Sequence, residues 1–343
     1  MTRVQVRFWR RGRRLLIGAK IVVSSVLLWW ILSRSNLGEI FEAASGAHIG
    51  LLLAAYVLNF VGILISAVRW RGLLRAHGVD ASTGFLVKSV MVGVFFNNFL
   101  PSTVGGDAMR AYDSYRLAQR GGPMTSVIVD RLLGMLVLTI FAVASLPFAS
   151  QLADRLPLLP VWIAAGAAIL VALSWSIFAP PSTKTLERLL SSVPEALSRP
   201  VRKVLGPFGA YRGQRDALVR AFGWSLVLQT NVIIYYVVVA RALGFGIPVH
   251  HFFLIVPLAL YIMMVPITVN GIGLRENVLA LFLAVYGIGS ADAIAYAWLV
   301  YLGGLIQGLL GGVVYALRRV EPALSTVVTP PVTPRAGQSG GDG

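Results

Sequence analysis

The sequence predicts an all-α polytopic membrane protein, with about six full transmembrane helices and two broken, re-entrant helical hairpins in an inverted repeat. Three observations predict this class. Apolar residues make up 57% of the chain and charged residues only 13%, and the mean hydropathy is +0.76. Two closely related phrases interrupt apolar segments in the two halves of the chain. Lysine and arginine are concentrated in alternate segments between the apolar runs, as the positive-inside bias expects.

Composition also excludes several classes of site. The chain has no cysteine, which rules out disulfides, thiol nucleophiles and thiolate metal sites. Its four histidines lack metal-ligand spacing, so we expect neither a metal nor another cofactor. The net charge is +16, and the basic residues that cause it lie between apolar spans. This placement indicates that they orient the chain in the membrane and attract anionic headgroups, rather than bind nucleic acid.

The first element is a basic cytoplasmic tail, residues 1–14, that holds six arginines. Residues 15–33 are apolar and end in Trp29-Trp30, an aromatic pair typical of a membrane interface. No small-residue cleavage site follows them. We therefore interpret this segment as an uncleaved first helix whose N-terminus is cytoplasmic.

One transmembrane domain, residues 15–320, accounts for nearly all of the chain, with repeat halves at about 49–148 and 219–317. A spanning helix needs about 20 apolar residues. Beyond the first helix, the runs that meet this need are residues 49–68, 125–148, 158–179, 219–241 and 292–317.

The basic residues fix the orientation of these spans. The segments that this layout places outside the cell hold only Arg34 and Arg155. Those placed in the cytoplasm hold 24 of the 30 lysines and arginines; they are residues 1–14, 69–88, 101–124, 180–220 and 318–343. We therefore predict a multi-pass protein of the cell (inner, cytoplasmic) membrane with both termini in the cytoplasm.

Two segments outside the spans are polar. The cytoplasmic loop 180–218 has several prolines and a run of leucines with helical spacing beside Lys184 and Arg188. It is either an amphipathic helix at the interface or a plain solvated loop. Residues 321–343 are rich in Pro, Thr, Gly and Ser and are predicted to be a disordered C-terminal tail.

The two related phrases are residues 100–110 and 265–275, and each ends in an arginine nine residues after a proline. Gly/Pro-broken segments at corresponding places in two halves of a membrane chain indicate a transport site. The agreeing positions pair Pro101, Thr103, Val104, Gly106 and Arg110 with Pro266, Thr268, Val269, Gly271 and Arg275.

The charge distribution also predicts how these segments lie. If 84–100 crossed the membrane, the basic segment that follows would be outside, so we expect it to enter from the cytoplasm and turn back at Pro101. The region 251–289 then enters from the opposite face and turns back within its phrase. A rival layout, in which 251–270 and 275–289 are two complete spans, fits the charges equally well.

In the first phrase, a helix that starts near Asp107 would aim backbone N–H groups and Arg110 at the turn formed by Gly105 and Gly106. That arrangement suits a phosphate or a carboxylate. The alternative is that Asp107 is simply the N-cap of this helix.

Ionisable and amide groups inside a span are costly and are therefore candidates for function. Asn97 and Asn98 precede the first break, where they either cap the broken helix or contact a headgroup. Asp130 and Arg131 open a span, and Asp130 is placed to form an ion pair with Arg110 or Arg131.

The second phrase carries Arg275 and Glu276 after Gly271 and Gly273. Arg275 would bind a lipid phosphate in the outer half of the membrane, and Glu276 would pair with it or carry a proton. The alternative is an ion pair that only holds the hairpin together. Small residues in the last span form a close-packing face, which is structural or a contact between copies of the chain; they are Gly303, Gly304, Gly308, Gly311 and Gly312.

These motifs, in this order, resemble the transmembrane domain of the lysylphosphatidylglycerol synthase/flippase family, over about residues 12–320. The resemblance implies a bacterial or archaeal membrane protein that moves a lipid with a polar headgroup between leaflets. We expect no aminoacyl-transferase domain beside this one, so the resemblance does not imply synthesis of aminoacyl-lipid. The positions that carry the family motifs are Asn98, Pro101, Gly105, Gly106, Asp107, Arg110, Asp130, Arg131, Asn270, Gly271, Gly273, Arg275 and Glu276.

From the residues and the resemblance together we expect a lipid translocase without a catalytic constellation. Its substrates would be anionic or aminoacylated phospholipids or a polyprenyl-linked lipid, bound at the positions just given and at Asn97, Ser102, Thr103 and Thr268. Two other hypotheses remain: a non-catalytic scaffold for an envelope-lipid synthase, bound through the cytoplasmic loop, and a transferase that uses a lipid carrier.

Overall fold

A computed structural model describes residues 45–99, 104–118, 122–148, 158–178, 211, 213–264 and 273–318. In these residues all regular structure is helical. The main helices are α1 (Ile49–Arg75), α2 (Thr83–Phe99), α3 (Val104–Ala118), α4 (Thr125–Ser145), α5 (Leu159–Phe178), α6 (Arg215–Ala242), α7 (Val249–Met264), α8 (Leu274–Ala284) and α9 (Ser290–Leu317). The predicted first helix, most of the loop 180–218 and the C-terminal tail lie outside the described residues.

Four of these helices are long and apolar enough to cross a membrane: Ile49–Arg75, Thr125–Phe148, Arg215–Ala242 and Ser290–Leu317. All four coincide with predicted spans. Two further helices contain shorter apolar stretches, Pro160–Ala172 and Val249–Met264. The described part of the chain is therefore an all-α membrane protein with several spanning helices.

The helices fall into two sets with the same order of lengths. The first set is α1 to α4 and the second is α6 to α9, and each consists of a long helix, two short helices and another long helix. The first long helices, α1 and α6, pack side by side, and the last helix of each set packs on the second helix of the other, α9 on α2 and α4 on α7.

The two ends of the bundle differ in charge. At one end, Arg71 and Arg75 both bind Asp80, in the turn between α1 and α2, and these hydrogen bonds hold the pKa of that carboxyl below its usual value. Arg116, Arg215, Arg220 and Arg318 lie near the same end, which we call the basic end. At the opposite end, where the His48 N–H binds the Ala242 carbonyl, Arg241 is the only lysine or arginine at the described helix termini, and the acid Asp292 lies in the first turn of α9.

Both arms of the first broken segment meet the last helix at the basic end. Arg318 pairs through two nitrogens with Asp113 of α3, at 2.8 and 3.0 Å, and its guanidinium lies 4.7 Å from the ring of Phe85 in α2. The tip of α2 lies deeper, because the Asn98 amide donates to the Gly304 carbonyl, halfway along α9. Fourteen residues of helix separate Gly304 from Arg318, about 21 Å.

The second broken segment is arranged in the same way at the opposite end. His250 packs edge-on against Phe148 at the end of the span Thr125–Phe148, at 6.0 Å between ring centres. The Tyr261 hydroxyl donates to the Met135 carbonyl at 2.6 Å, near the middle of α4. Beyond α8, Tyr286 returns to contact His251 at the start of α7.

Candidate functional site

The centre of the candidate site is Asp130, which is only 2% exposed. Its two carboxylate oxygens face two arginines from different helices. Arg69 Nε of α1 lies 2.5 Å from Oδ1, and Arg110 Nη2 of α3 lies 3.0 Å from Oδ2. Breaking a buried ion pair by removing one partner costs about 3–5 kcal/mol, so this arrangement strongly constrains α1, α3 and α4.

A second ion pair extends this group toward the surface. The Arg131 guanidinium binds the Asp107 carboxylate, and Arg110 approaches the same carboxylate at 4.0 Å. The Asp107 and Arg131 side chains are 25% and 31% exposed, whereas Asp130 is buried. We call these five residues the arginine–aspartate cluster: Arg69, Asp107, Arg110, Asp130 and Arg131.

Aromatic and hydroxyl groups hold the arginines in place. The Arg110 guanidinium lies 4.4 Å from the ring centre of Trp70, whose indole N–H donates to Ser126 Oγ at 2.9 Å. Arg69 Nη1 donates to Ser225 Oγ of α6, also at 2.9 Å. The cluster thereby links the first set of helices to the second.

The cluster lies inside the bundle, about two helical turns from the basic end. Asp130 is five residues from the start of its helix and Arg69 is six residues from the end of its own, so both lie about 8–9 Å along a helix from the terminus. Among the described residues the cluster contains three arginines and two aspartates, and therefore one positive charge in excess.

One expectation for this region is confirmed and two change. The ion pair of Asp130 with Arg110 is confirmed, but Arg131 pairs with Asp107 instead. The alternative that Asp107 is an N-cap is wrong, because α3 already begins at Val104 and Asp107 lies in its first turn.

Arg69 was missed by the sequence analysis. The predicted span ended at residue 68, whereas the helix continues to Arg75. An arginine just beyond an apolar run is indistinguishable from an orientation signal when several others follow it. The signal that could have found it is that apolar residues continue beyond it, since Trp70, Leu73 and Leu74 are all buried.

The break between α2 and α3 is bridged by an asparagine. Asn97 Oδ1 accepts a hydrogen bond from the Gly106 N–H at 2.7 Å, and Asn98 Nδ2 donates to the Gly304 carbonyl at 3.0 Å. Both amides thus have structural partners, as the capping alternative expected. Pro101, Ser102 and Thr103 lie outside the described residues.

The sequence analysis expected Gly105 and Gly106 to form a turn before the helix. They lie inside α3 instead, so this expectation is wrong. A Cβ on Gly106 would collide with the Gly93 carbonyl of α2 and with the Asn97 amide. The glycine is therefore required for close packing of the two arms of the hairpin.

In the second segment, Arg275 and Glu276 are 8% and 7% exposed. The Arg275 guanidinium lies 4.3 Å from the ring centre of Tyr301 in α9. Glu276 Oε2 accepts the Gly273 N–H at 2.7 Å, and Gly273 has a φ of +81°, which favours glycine. Thr268, Asn270 and Gly271 lie outside the described residues.

The glycine face of α9 packs mainly against α2. Cβ atoms on Gly311 and Gly312 would collide with the Met91 carbonyl and the Phe95 ring, and one on Gly308 with the Asn98 amide. The structural interpretation of this face is therefore confirmed for these positions. A Cβ on Gly304, by contrast, would meet open space.

Comparison with known proteins identifies relatives along nearly the whole chain. A family model described as the lysylphosphatidylglycerol synthase transmembrane region matches residues 17–312. The UPF0104 membrane protein PH1989 of Pyrococcus horikoshii is 24% identical over 329 residues, which cover 89% of this chain and 96% of the relative. A UPF0104 membrane protein of Methanothermobacter thermautotrophicus is 25% identical over 296 residues, covering 80% and 87%. No solved structure shows significant similarity.

Proposed function

Because the chain belongs to the family of the lysylphosphatidylglycerol synthase transmembrane region, we propose that it moves a lipid with a phosphate-bearing headgroup between membrane leaflets. It does so as a translocase rather than an enzyme, in the cell membrane, with the basic end in the cytoplasm. The observation that carries the proposal is the arginine–aspartate cluster with its excess positive charge.

The energetic cost of the cluster supports a functional role. Each charged residue inside a membrane costs roughly 2.5–3.5 kcal/mol on insertion scales, and pairing recovers only part of this. Mutual neutralisation of two aspartates would need two arginines, yet the cluster has three. The third provides a compensating charge for one anionic group, and guanidinium groups bind phosphate through paired hydrogen bonds.

Access to the cluster is available from one side. Asp107 and Arg131 form its partly exposed rim, while Arg110 lies behind them between Asp130 and Trp70. A headgroup phosphate would first meet Arg131 and then Arg110. The acyl chains would remain in the lipid, so that only the polar group passes through protein.

The contacts of the two broken segments support a pair of re-entrant hairpins. Both arms of 83–118 reach Arg318 at the basic end, while Asn98 reaches only the middle of α9. The second segment, 249–286, starts and finishes at the opposite end, and Tyr261 reaches the middle of α4. Together with the reciprocal packing of the two helix sets, this arrangement is what an inverted repeat would produce.

In this proposal the two hairpin arginines bind the headgroup at successive stages. Arg110 and Arg275 are equivalent in the repeated phrases, both are buried, and both lie over an aromatic ring, Trp70 or Tyr301. Arg110 serves the cytoplasmic side and Arg275 the outer side. Movement of one helix set against the other then alternates access.

The test is leaflet exchange by the purified protein in liposomes. We expect exchange of headgroup-labelled phosphatidylglycerol, its aminoacylated form or a polyprenyl phosphate, and none of a labelled glycosyl diacylglycerol, which has no phosphate. Protein-free liposomes and the variant Arg220→Ala, at an exposed arginine of α6, are the controls. Equal exchange of the phosphate-free lipid, or no exchange of any phosphate-bearing lipid, would overturn the proposal.

A further inference from the structure

We propose that Glu276 is a proton-binding site that couples the second hairpin to the proton gradient across the membrane. This inference rests on the proposed function, because it supplies the energy source for the movement of lipid. The site takes one proton on a carboxylate oxygen to give a neutral carboxylic acid and later releases the same proton.

Glu276 is buried, and only one of its two carboxylate oxygens has a hydrogen-bond partner among the described residues. The residue is 7% exposed, and its Oε2 accepts the Gly273 N–H at 2.7 Å. Its other oxygen, Oε1, is buried and has no hydrogen-bond partner among the described residues. An unsatisfied carboxylate oxygen in a low-dielectric site is costly, and uptake of a proton removes the charge that makes it so.

Other buried acids in the described structure are neutralised by arginine. Asp130 faces Arg69 and Arg110, and Asp113 is held by both terminal nitrogens of Arg318 and by Ser89. Asp107, at the rim of the arginine–aspartate cluster, pairs with Arg131. No such ion pair reaches Glu276 among the described residues, which distinguishes it from the other buried acids.

Among the described residues, the helices that pack on α8 are α7 and α9, and they bring few charged or titratable groups near Glu276. On its own helix Arg275 precedes it, with its guanidinium over Tyr301 of α9. From α7, Tyr261 is engaged with the Met135 carbonyl, and His251 contacts Tyr286 beyond the far end of α8. The preceding segment 265–272 contains no ionisable residue.

The structure accommodates both protonation states. The Gly273 N–H needs only an acceptor oxygen, which the carboxylate and the neutral acid both provide, so the helix cap survives protonation. Gly273 and Asn277, on either side of the buried acid, are exposed. The Asn277 amide, next in the chain to the acid, donates to the Gly273 carbonyl, so polar groups at the exposed start of α8 adjoin the buried carboxyl.

Two measurements on the full-length protein separate this inference from the proposed function. The first is infrared difference spectroscopy of the purified protein during a pH titration, which detects the carbonyl stretch of a buried protonated carboxyl without requiring transport. The variant is Glu276→Gln, whose amide oxygen keeps the cap. The matched control is Asp216→Asn, at an exposed acid in the first turn of α6.

The second measurement is lipid exchange in proteoliposomes with and without an imposed pH gradient. We expect the gradient to accelerate exchange several-fold in the wild type and in Asp216→Asn, but not in Glu276→Gln. The infrared band should disappear only in Glu276→Gln.

The outcomes are distinguishable. If the wild type exchanges no lipid but shows the band, the proposed function fails while the proton site stands. A titration without a band that depends on Glu276 would overturn the proton site. If the pH gradient does not change the rate of lipid exchange by the wild type, the coupling is overturned. It is also overturned if the gradient accelerates exchange by Glu276→Gln as much as by the wild type.

Discussion

Asp130 is the residue on which the arginine–aspartate cluster depends, because it is the shared partner of two buried arginines. Removing Arg69 or Arg110 leaves Asp130 with one cationic partner. Removing the charge of Asp130 leaves two buried guanidinium groups facing a neutral side chain. Replacing Asp130, Arg69 or Arg110 singly by an uncharged residue should therefore have clearly different effects on stability.

We predict that Asp130→Asn destabilises the protein by about 3–5 kcal/mol, and that Arg69→Gln and Arg110→Gln cost clearly less. Thermal unfolding of the detergent-solubilised protein provides the measurement. Arg220→Gln, at an exposed arginine, should change nothing. Equal losses from all three cluster variants would contradict the shared-partner arrangement.

Residue-scale prediction from sequence identified Asp130 and Arg110 as partners but missed Arg69. Asp130 and Arg110 were predicted to meet because each interrupts an apolar or glycine-rich stretch. Arg69 could not be recognised, because Arg71 and Arg75 follow it and make it resemble an orientation signal. Which aspartate pairs with which arginine depends on the helix packing, which sequence spacing alone does not determine.

At the scale of elements, the glycines of α9 determine how closely the first hairpin approaches. Gly311 faces the Met91 carbonyl of α2, whereas Gly304, two turns earlier, faces open space at its Cβ position. The two glycines share one helix and one helix propensity, so they form a matched pair.

We predict that Gly311→Ala destabilises the protein by about 1–3 kcal/mol through overpacking against α2. Gly304→Ala should be neutral or slightly stabilising, since alanine is the better helix former. Their unfolding temperatures, measured side by side, test this. Comparable effects of both substitutions would show that α2 does not pack on this face.

If the first hairpin is re-entrant, both of its helices must end on the same side of the membrane. Because the chain has no cysteine, single cysteines can be introduced without a background. Ser82→Cys before α2 and Tyr115→Cys near the end of α3 lie at exposed positions. We predict that a membrane-impermeant maleimide labels both only from the cytoplasmic face. Labelling of Tyr115→Cys from outside would mean that 83–118 crosses the membrane.

The positions of the helices were largely predictable, because long apolar runs specify spanning helices directly. The helix ends were not: α1 extends seven residues beyond its predicted end, and α3 starts three residues before Asp107. Helices of this kind continue past the apolar region into polar residues that pack against neighbours. The break at Asn97 and Asn98 was visible from Gly and Pro, but its hydrogen bonds across to Gly106 and Gly304 were not.

At the scale of the whole molecule, two sets of four helices pack reciprocally, and each set has a buried arginine in its third helix, Arg110 or Arg275. The sets are not chemically equal. The first surrounds its arginine with charges, Asp107, Asp130 and Arg131. In the second set, Arg275 lies over the ring of Tyr301 and precedes the buried acid Glu276. This asymmetry fits a path that binds a headgroup at one hairpin and releases it at the other.

The most direct test of this account is leaflet exchange of labelled phosphatidylglycerol and its aminoacylated and polyprenyl counterparts by Arg110→Gln and Arg275→Gln, each purified and confirmed as folded. Both hairpins lie on one path, so each substitution alone should reduce exchange at least tenfold, while Arg220→Gln behaves as the wild type. Undiminished exchange by both folded variants would contradict the claim that the hairpin arginines carry the headgroup across the membrane.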